Sequence, residues 1–385
     1  MEMPGFTICP RYTNHLLVCI ISLFCSQTVL EKTVSGNEPE ITVDASGIAA
    51  HVQVLADDAF EGREGGHRGG RAASSYIEQE IRPLGLIPAG TNKSYFQSFP
   101  TRFGTLRNVL VMIPGSDPVL QSEVIVVGAH YDHVGYGNKR NSFGPFGYVH
   151  NGADDNASGV AGLIKIVETL ARLPDPCRRT ILFAFWDGEE QGLLGSKYFI
   201  KNRPDCMQGK NIVFSINLDM IGRLRHSQLN VFGGRSAVGL ETLVTHANNR
   251  HENKSLELIF NWKITPDSDH YPFLKAEVPT LMFHTGLHPD YHRPSDDVHL
   301  VNFKGIESVL EVVFQTLLQV ANNTGDTLSF RRAAFSETNV SRKKLEEKAF
   351  LPAGSRGRWG IGIRDDPANP VAPVVVAIRV GSVSY

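Results

Sequence analysis

The 385-residue chain is short of cysteine, of excess charge and of long apolar runs. Five cysteines cannot frame a disulfide-stapled fold, and only Cys177 and Cys206 lie beyond residue 25. One bridge between those two is permitted, but nothing requires it. Lysine and arginine (38) nearly balance aspartate and glutamate (40), leaving a formal net charge of -2. That balance gives no electrostatic case for nucleic acid or for an acidic membrane surface. The apolar run Leu16–Phe24 is too short to span a bilayer, and no later stretch is long and apolar enough to do so. A glycine-rich turn at Glu61–Gly70 lacks the Lys-Ser/Thr ending of a phosphate loop and follows no clear strand, which argues against a phosphate cradle.

Arg11, the run Leu16–Phe24 and the polar Cys25–Thr28 have the layout of a secretory leader, although no small-x-small pair marks a cleavage site. The expectation is a signal peptide over 1–27, export to a periplasmic or extracellular space, and a flexible leader over 28–45. Organised structure should begin near Ile48. Helical spacing covers Ala49–Ala56, and again Ala73, Tyr76, Ile77 and Ile81 before Pro83.

From Asn108 the pattern becomes strand, helix, strand. Apolar strands are expected at 109–113, 123–127, 181–186, 212–217, 229–232 and 280–283. Helices are expected at 160–171, 195–200, 237–248 and 306–320. Unbroken apolar strands alternating with helices predict a mostly parallel or mixed α/β sheet with helices on both faces, spanning 46–322. Residues 323–350 read as a polar linker. The end of the chain, 351–385, reads as two strands that resemble the opening of a PDZ domain.

Fourteen histidines are generous, and several stand in tight groups with acids. His130 and Asp132 end one expected strand, Glu189 and Glu190 another, and Asp219 a third. Asp154 and Asp155 open a helix, and a late loop carries His284, His288, Tyr291 and His292. In a parallel sheet these positions share one edge, where α/β proteins build their sites. Imidazole and carboxylate at such a place suit a site for two zinc-type ions, which needs a bridging carboxylate and a position for water. Each group taken alone has a plain structural reading: helix capping for the aspartates, a solvated loop pair for Glu189-Glu190, a satisfied core side chain for His130. Adjacent carboxylates on an extended segment point apart, so one of the Glu pair can bind a metal while the other faces water.

The motifs Gly-Ala-His130-Tyr-Asp132-His, Asp-Asp155-Asn-Ala-Ser-Gly, Trp-Asp-Gly-Glu189-Glu190, Asn-Leu-Asp219-Met-Ile-Gly, Ser268-Asp-His and Tyr291-His292-Arg-Pro resemble, in order, the M28 family of co-catalytic zinc aminopeptidases. The likeness covers about residues 45 to 320. It implies two zinc ions: one on His130 and Asp219, the other on Glu190 and His292, with Asp155 bridging and its following peptide bond cis. It further implies that Asp132 orients His130, that Glu189 is the general base and that Tyr291 stabilises the oxyanion. The implied substrate is a peptide with a free N-terminus. Under the same resemblance His133, His150, His284 and His288 match no ligand position, and Asp269 and His270 buttress the site. Tyr136, Phe143 and Phe146, in the insert between His133 and His150, shape a substrate pocket or a lid. The alternatives are a one-zinc glutaminyl cyclase-like acyltransferase, a carboxypeptidase or dipeptidase relative lacking an evident cationic clamp, and an inactive receptor-like homologue.

Overall fold

A computed structural model describes residues 43–250, 255–325, 327–348, 361–366 and 369–378. The expected leader over 1–27 and the start of the expected flexible segment lie outside the described residues. In chain order the elements are α1 (Ile48–Leu55), α2 (Arg68–Ile81), β1 (Ile87–Pro88), β2 (Phe96–Thr101), β3 (Gly104–Ile113), β4 (Glu123–His130), α3 (Gly159–Ala171), β5 (Thr180–Trp186) and α4 (Leu194–Lys201). There follow β6 (Asn211–Leu218), β7 (Gln228–Phe232), α5 (Leu240–Asn248), β8 (Glu257–Asn261), α6 (His270–Lys275), β9 (Thr280–His284), α7 (Phe303–Asn322), α8 (Asn339–Lys348), β10 (Ile361–Asp366) and β11 (Asn369–Ile378).

Nine strands form one sheet in the order β1-β3-β5-β4-β6-β9-β7-β8, with β2 also paired to β3. Its centre, β5-β4-β6-β9, is parallel, whereas β3 joins β5 and β7 joins β9 antiparallel. The mixed α/β sheet is therefore as expected, and alternate residues explain why its strands read as solid apolar runs. Ile125, Val127, Ile181, Phe183, Phe214 and Ile216 face a core roofed by α1, α2, α3, α5 and α7. Val124, Val126, Leu182, Ala184 and Trp186 face the opposite layer, with Phe199 of α4 and Phe273 of α6. Both pleat faces are buried, so apolar residues dominate both.

Three features differ from expectation. Helix α2 starts inside the glycine-rich turn, because Gly69 packs so close to the Phe60 carbonyl that a Cβ would lie 1.9 Å from it. Strands β2 and β8 carry too little period-two patterning to stand out, and β2 tolerates Pro100 because it borders the sheet. The bridge that the sequence left open is not formed: Cys177 is buried and free, and Cys206 half-buried and free. Residues 327–345 are no linker. Arg331 and Arg235 both pair with Glu337, Asn339 Oδ1 accepts from the Trp262 backbone at 2.8 Å, and Arg342 donates to the Phe260 carbonyl at 2.7 Å. Helix α8 is polar all round, so it carries no apolar stripe by which to be recognised. Two strands do stand in the final segment, β10 and β11, paired antiparallel. The remainder of the expected PDZ-like segment lies outside the described residues. Among the described residues no helix is long and apolar enough to cross a membrane.

Candidate metal centre

The parallel strands deliver the acidic and imidazole groups to one edge. His130 is the last residue of β4, and Asp219 directly follows β6. Glu189 and Glu190 sit in the turn after β5, Asp155 in the short turn that starts α3, and His292 in the loop after β9. His292 holds a left-handed backbone (φ 53°), a conformation found where surrounding structure over-determines a residue and one that clusters at functional sites.

Two pockets result, joined by one side chain. Asp155 Oδ1 lies 3.4 Å from His130 Nε2, which in turn lies 3.5 Å from Asp219 Oδ1. Asp155 Oδ2 lies 3.1 Å from His292 Nε2, and Glu190 Oε1 lies 3.2 Å from the same nitrogen. A histidine that the sequence reading left aside completes the second group: His133 Nδ1 is 2.9 Å from Glu190 Oε1 and 3.7 Å from Asp155 Oδ2. The donor atoms within each group all lie within 4.8 Å of one another. Zinc bonds of about 2.0–2.2 Å set at tetrahedral angles would space donors about 3.3–3.6 Å apart. The observed separations bracket that spacing, so both donor sets fit a metal cofactor. Asp155 offers one oxygen to each set, as a bridge must.

The supports differ in part from the expected ones. His130 Nδ1 is 3.1 Å from the main-chain carbonyl of Asp132, whereas the Asp132 carboxylate stands 3.8 Å away. That carboxylate instead accepts the backbone N–H groups of Glu189 (3.0 Å) and Glu190 (3.2 Å), fixing the turn that carries both glutamates. Ser268, rather than Asp269 or His270, holds the second oxygen of Asp219, at 2.5 Å, and Asn217 donates to Ser268. Asp269 accepts from Ser196. Asp296 takes the backbone N–H groups of Asp154 and Asp155, each at 3.0 Å. The Asp155–Asn156 peptide bond is cis, as the resemblance implies. Arg63, fully buried, donates to the carbonyls of Tyr131, Leu55, Asn151 and Gly152 at 2.5–2.9 Å. A cation so placed sits directly beneath the acids.

His150 anchors the insert through Ser142 (2.6 Å), and Ser142 also donates to the His292 carbonyl (3.0 Å). His284 accepts the Gly286 N–H, and His288 lies 3.1 Å from Asp154. Neither joins a donor set. Tyr291 stacks on His292 with ring centroids 3.9 Å apart, and Phe143 reaches within 6.4 Å of the same imidazole.

The electrostatics are those of crowded, dehydrated charge. Burial opposes protonation of His292, but Glu190 and Asp155 override it and push the ring up to about 11. Burial likewise opposes a charge on His130, yet Glu189, Asp219 and Asp155 raise it well above the ordinary value. Burial drives the Glu189 carboxyl well up against the pull of His130, with Glu190, Asp269 and Asp219 adding to the rise. Glu190 resists the same burial because His292 and His133 hold it low.

An ordered edge of imidazole and carboxylate on a mixed α/β sheet defines the class as a metal-dependent site of the hydrolase type. A family model described as Peptidase family M28 matches residues 108–317. That match covers more than half of the sequence, and the chain belongs to peptidase family M28. It is 29% identical over 162 residues to leucine aminopeptidase 1 of Trichophyton rubrum, covering 40% of each protein. The chain spans less than half the length of the curated relatives it matches. Its fold is similar to that of BSAP, a zinc aminopeptidase from Bacillus subtilis, at a TM-score of 0.58 and 16% identity, over 76% of this chain and 98% of that one. It is equally similar to Porphyromonas gingivalis glutaminyl cyclase, at a TM-score of 0.59 and 21% identity, over 71% and 98%.

Proposed function

We propose that this chain is an exported di-zinc aminopeptidase that removes N-terminal residues from peptides. The observation that carries the reading is the pair of donor sets sharing Asp155, with Glu189 beside them and in neither. His130 and Asp219 would hold one ion, Glu190 and His292 the other, and Asp155 both. Bound there, the ions would polarise the scissile carbonyl and acidify a water at neutral pH. The Glu189 carboxylate would take that water's proton and return it to the departing amine. Asp132 would keep Glu189 in reach by holding its backbone N–H. Tyr291, braced on His292, would donate to the oxygen that gains negative charge. The free α-amine of the substrate would be drawn to the acidic edge, and the aromatic insert with Phe143 would meet the first side chain.

The similarity to a glutaminyl cyclase supports a second reading, an acyl transfer that would need only one of the two pockets. A panel of aminoacyl fluorogenic amides, run with and without a chelator beside an N-terminal glutaminyl peptide, separates the two. Release of amino acids, lost on chelation and restored by zinc, is expected. Cyclisation of the glutaminyl peptide without amide hydrolysis would overturn the peptidase reading, and activity indifferent to chelator would overturn both.

A further inference from the structure

We infer that His133 is itself a metal ligand, the fourth donor of the Glu190 pocket. The inference rests on the two-ion reading and goes beyond it. His133 is 1% exposed, and its Nδ1 faces Glu190 Oε1 at 2.9 Å and Asp155 Oδ2 at 3.7 Å. Its ring meets that of His292 edge-on, with centroids 5.5 Å apart, so the two imidazoles approach one point from different directions. The other ring nitrogen, Nε2, is buried without a protein partner. The polar contacts of the ring therefore lie on the side that faces the pocket. Gly152 fixes the ring from behind: a Cβ there would stand 2.6 Å from His133 Cδ2, and the Gly152 backbone is left-handed (φ 54°).

Together His133, His292, Asp155 and Glu190 offer two nitrogens and two oxygens within 4.8 Å of one another, against three donors from His130, Asp155 and Asp219 among the described residues. Four protein donors would hold an ion more tightly than three, and an ion so held would fix Asp155 and Glu190. The alternative role for His133 is a hydrogen bond that merely orients Glu190.

Three measurements decide between them. Titration of the metal-free protein with zinc, read by competition with a chromophoric chelator, should show two ions in the parent protein. His133→Ala and His133→Asn should each lose the tighter ion, with affinity down more than about 100-fold, beyond the loss typical of a residue that only orients a ligand, while the other ion stays. Asn can still donate toward Glu190, so retention of both ions in His133→Asn would overturn the inference in favour of the orienting role. The third measurement needs no variant, and so stands even if both fail to fold. In the cobalt-loaded parent protein, proton NMR should show three hyperfine-shifted exchangeable imidazole N–H signals, from His130, His133 and His292. Two such signals would refute ligation by His133. Binding of no metal by the parent protein would instead sink the di-zinc reading itself.

Discussion

Glu189 and Glu190 are neighbours in the chain, yet replacing each by glutamine should produce opposite phenotypes. Glu190 Oε1 lies within 3.2 Å of both His133 and His292, and the two imidazoles hold its carboxyl low. Glu190→Gln therefore removes a charge that faces two imidazoles, with charge-assisted contacts worth about 1.5–3 kcal/mol each, and takes a donor from the four-donor pocket. Zinc content should fall toward one ion per chain. Glu189 belongs to neither donor set, and among the described residues no group donates a hydrogen bond to its carboxylate. Its backbone N–H, which Asp132 holds at 3.0 Å, survives the change. Glu189→Gln should thus leave the fold and both ions in place. Loss of a positioned general base costs about 10²–10⁴ in rate, or about 2.7–5.4 kcal/mol at 1.36 kcal/mol per tenfold. The acid limb of the kcat/KM profile should flatten as well, because its titrating base is gone. The assay is zinc by plasma mass spectrometry beside hydrolysis of an aminoacyl amide. Hydrolysis within about twofold of the parent rate, or zinc loss in Glu189→Gln equal to that in Glu190→Gln, would refute the division of roles.

Arg63→Met should destabilise the fold by at least about 3 kcal/mol in a urea melt, since the buried carbonyls of Tyr131, Leu55 and Asn151 lose their donor and each orphan costs about 1–3 kcal/mol. Gly152→Ala should cost about 2–4 kcal/mol, from its left-handed backbone and the collision of the new Cβ with His133 and the Asp155 carbonyl; differential scanning calorimetry reads it as a lowered Tm. Zinc uptake by the metal-free protein at pH 7 should release the protons held on His130 and His292, so the calorimetric heat should depend on buffer ionisation enthalpy and affinity should climb with pH. In the metal-free state the raised His292 contributes its stability fully below about pH 6.5 and loses it as pH rises toward about 11; a flat stability profile over that window would contradict the shift.

The core strands were legible in the sequence because both of their faces are covered, which turns each into a solid apolar run. The clustered acids and imidazoles were legible because most of them follow such a run or open a helix. What the sequence hid has physical causes. His133 stands beyond the end of β4, where the chain leaves the sheet and strand alternation no longer says where a side chain points; a second histidine three residues after a ligand histidine was the available signal. Ser268 and Asp296 act by hydrogen bonds across 49 and more than 140 residues of chain, and nothing local marks such a partner. Arg63 was concealed in a glycine-rich turn, where nothing local marks the distant carbonyls it serves. Helix α8 was missed because it docks through backbone hydrogen bonds and charge rather than an apolar stripe.

The spread of the donors along the chain also sets a chronology. The three-donor pocket cannot exist until β6 has taken its place beside β4 and brought Asp219 to the edge. The four-donor pocket must wait for the loop after β9, more than seventy residues later. A ribosome delivers these segments in that order, so a growing chain first presents an incomplete chelate and completes both donor sets only when the whole parallel centre has assembled. A full complement of donors then certifies a finished sheet.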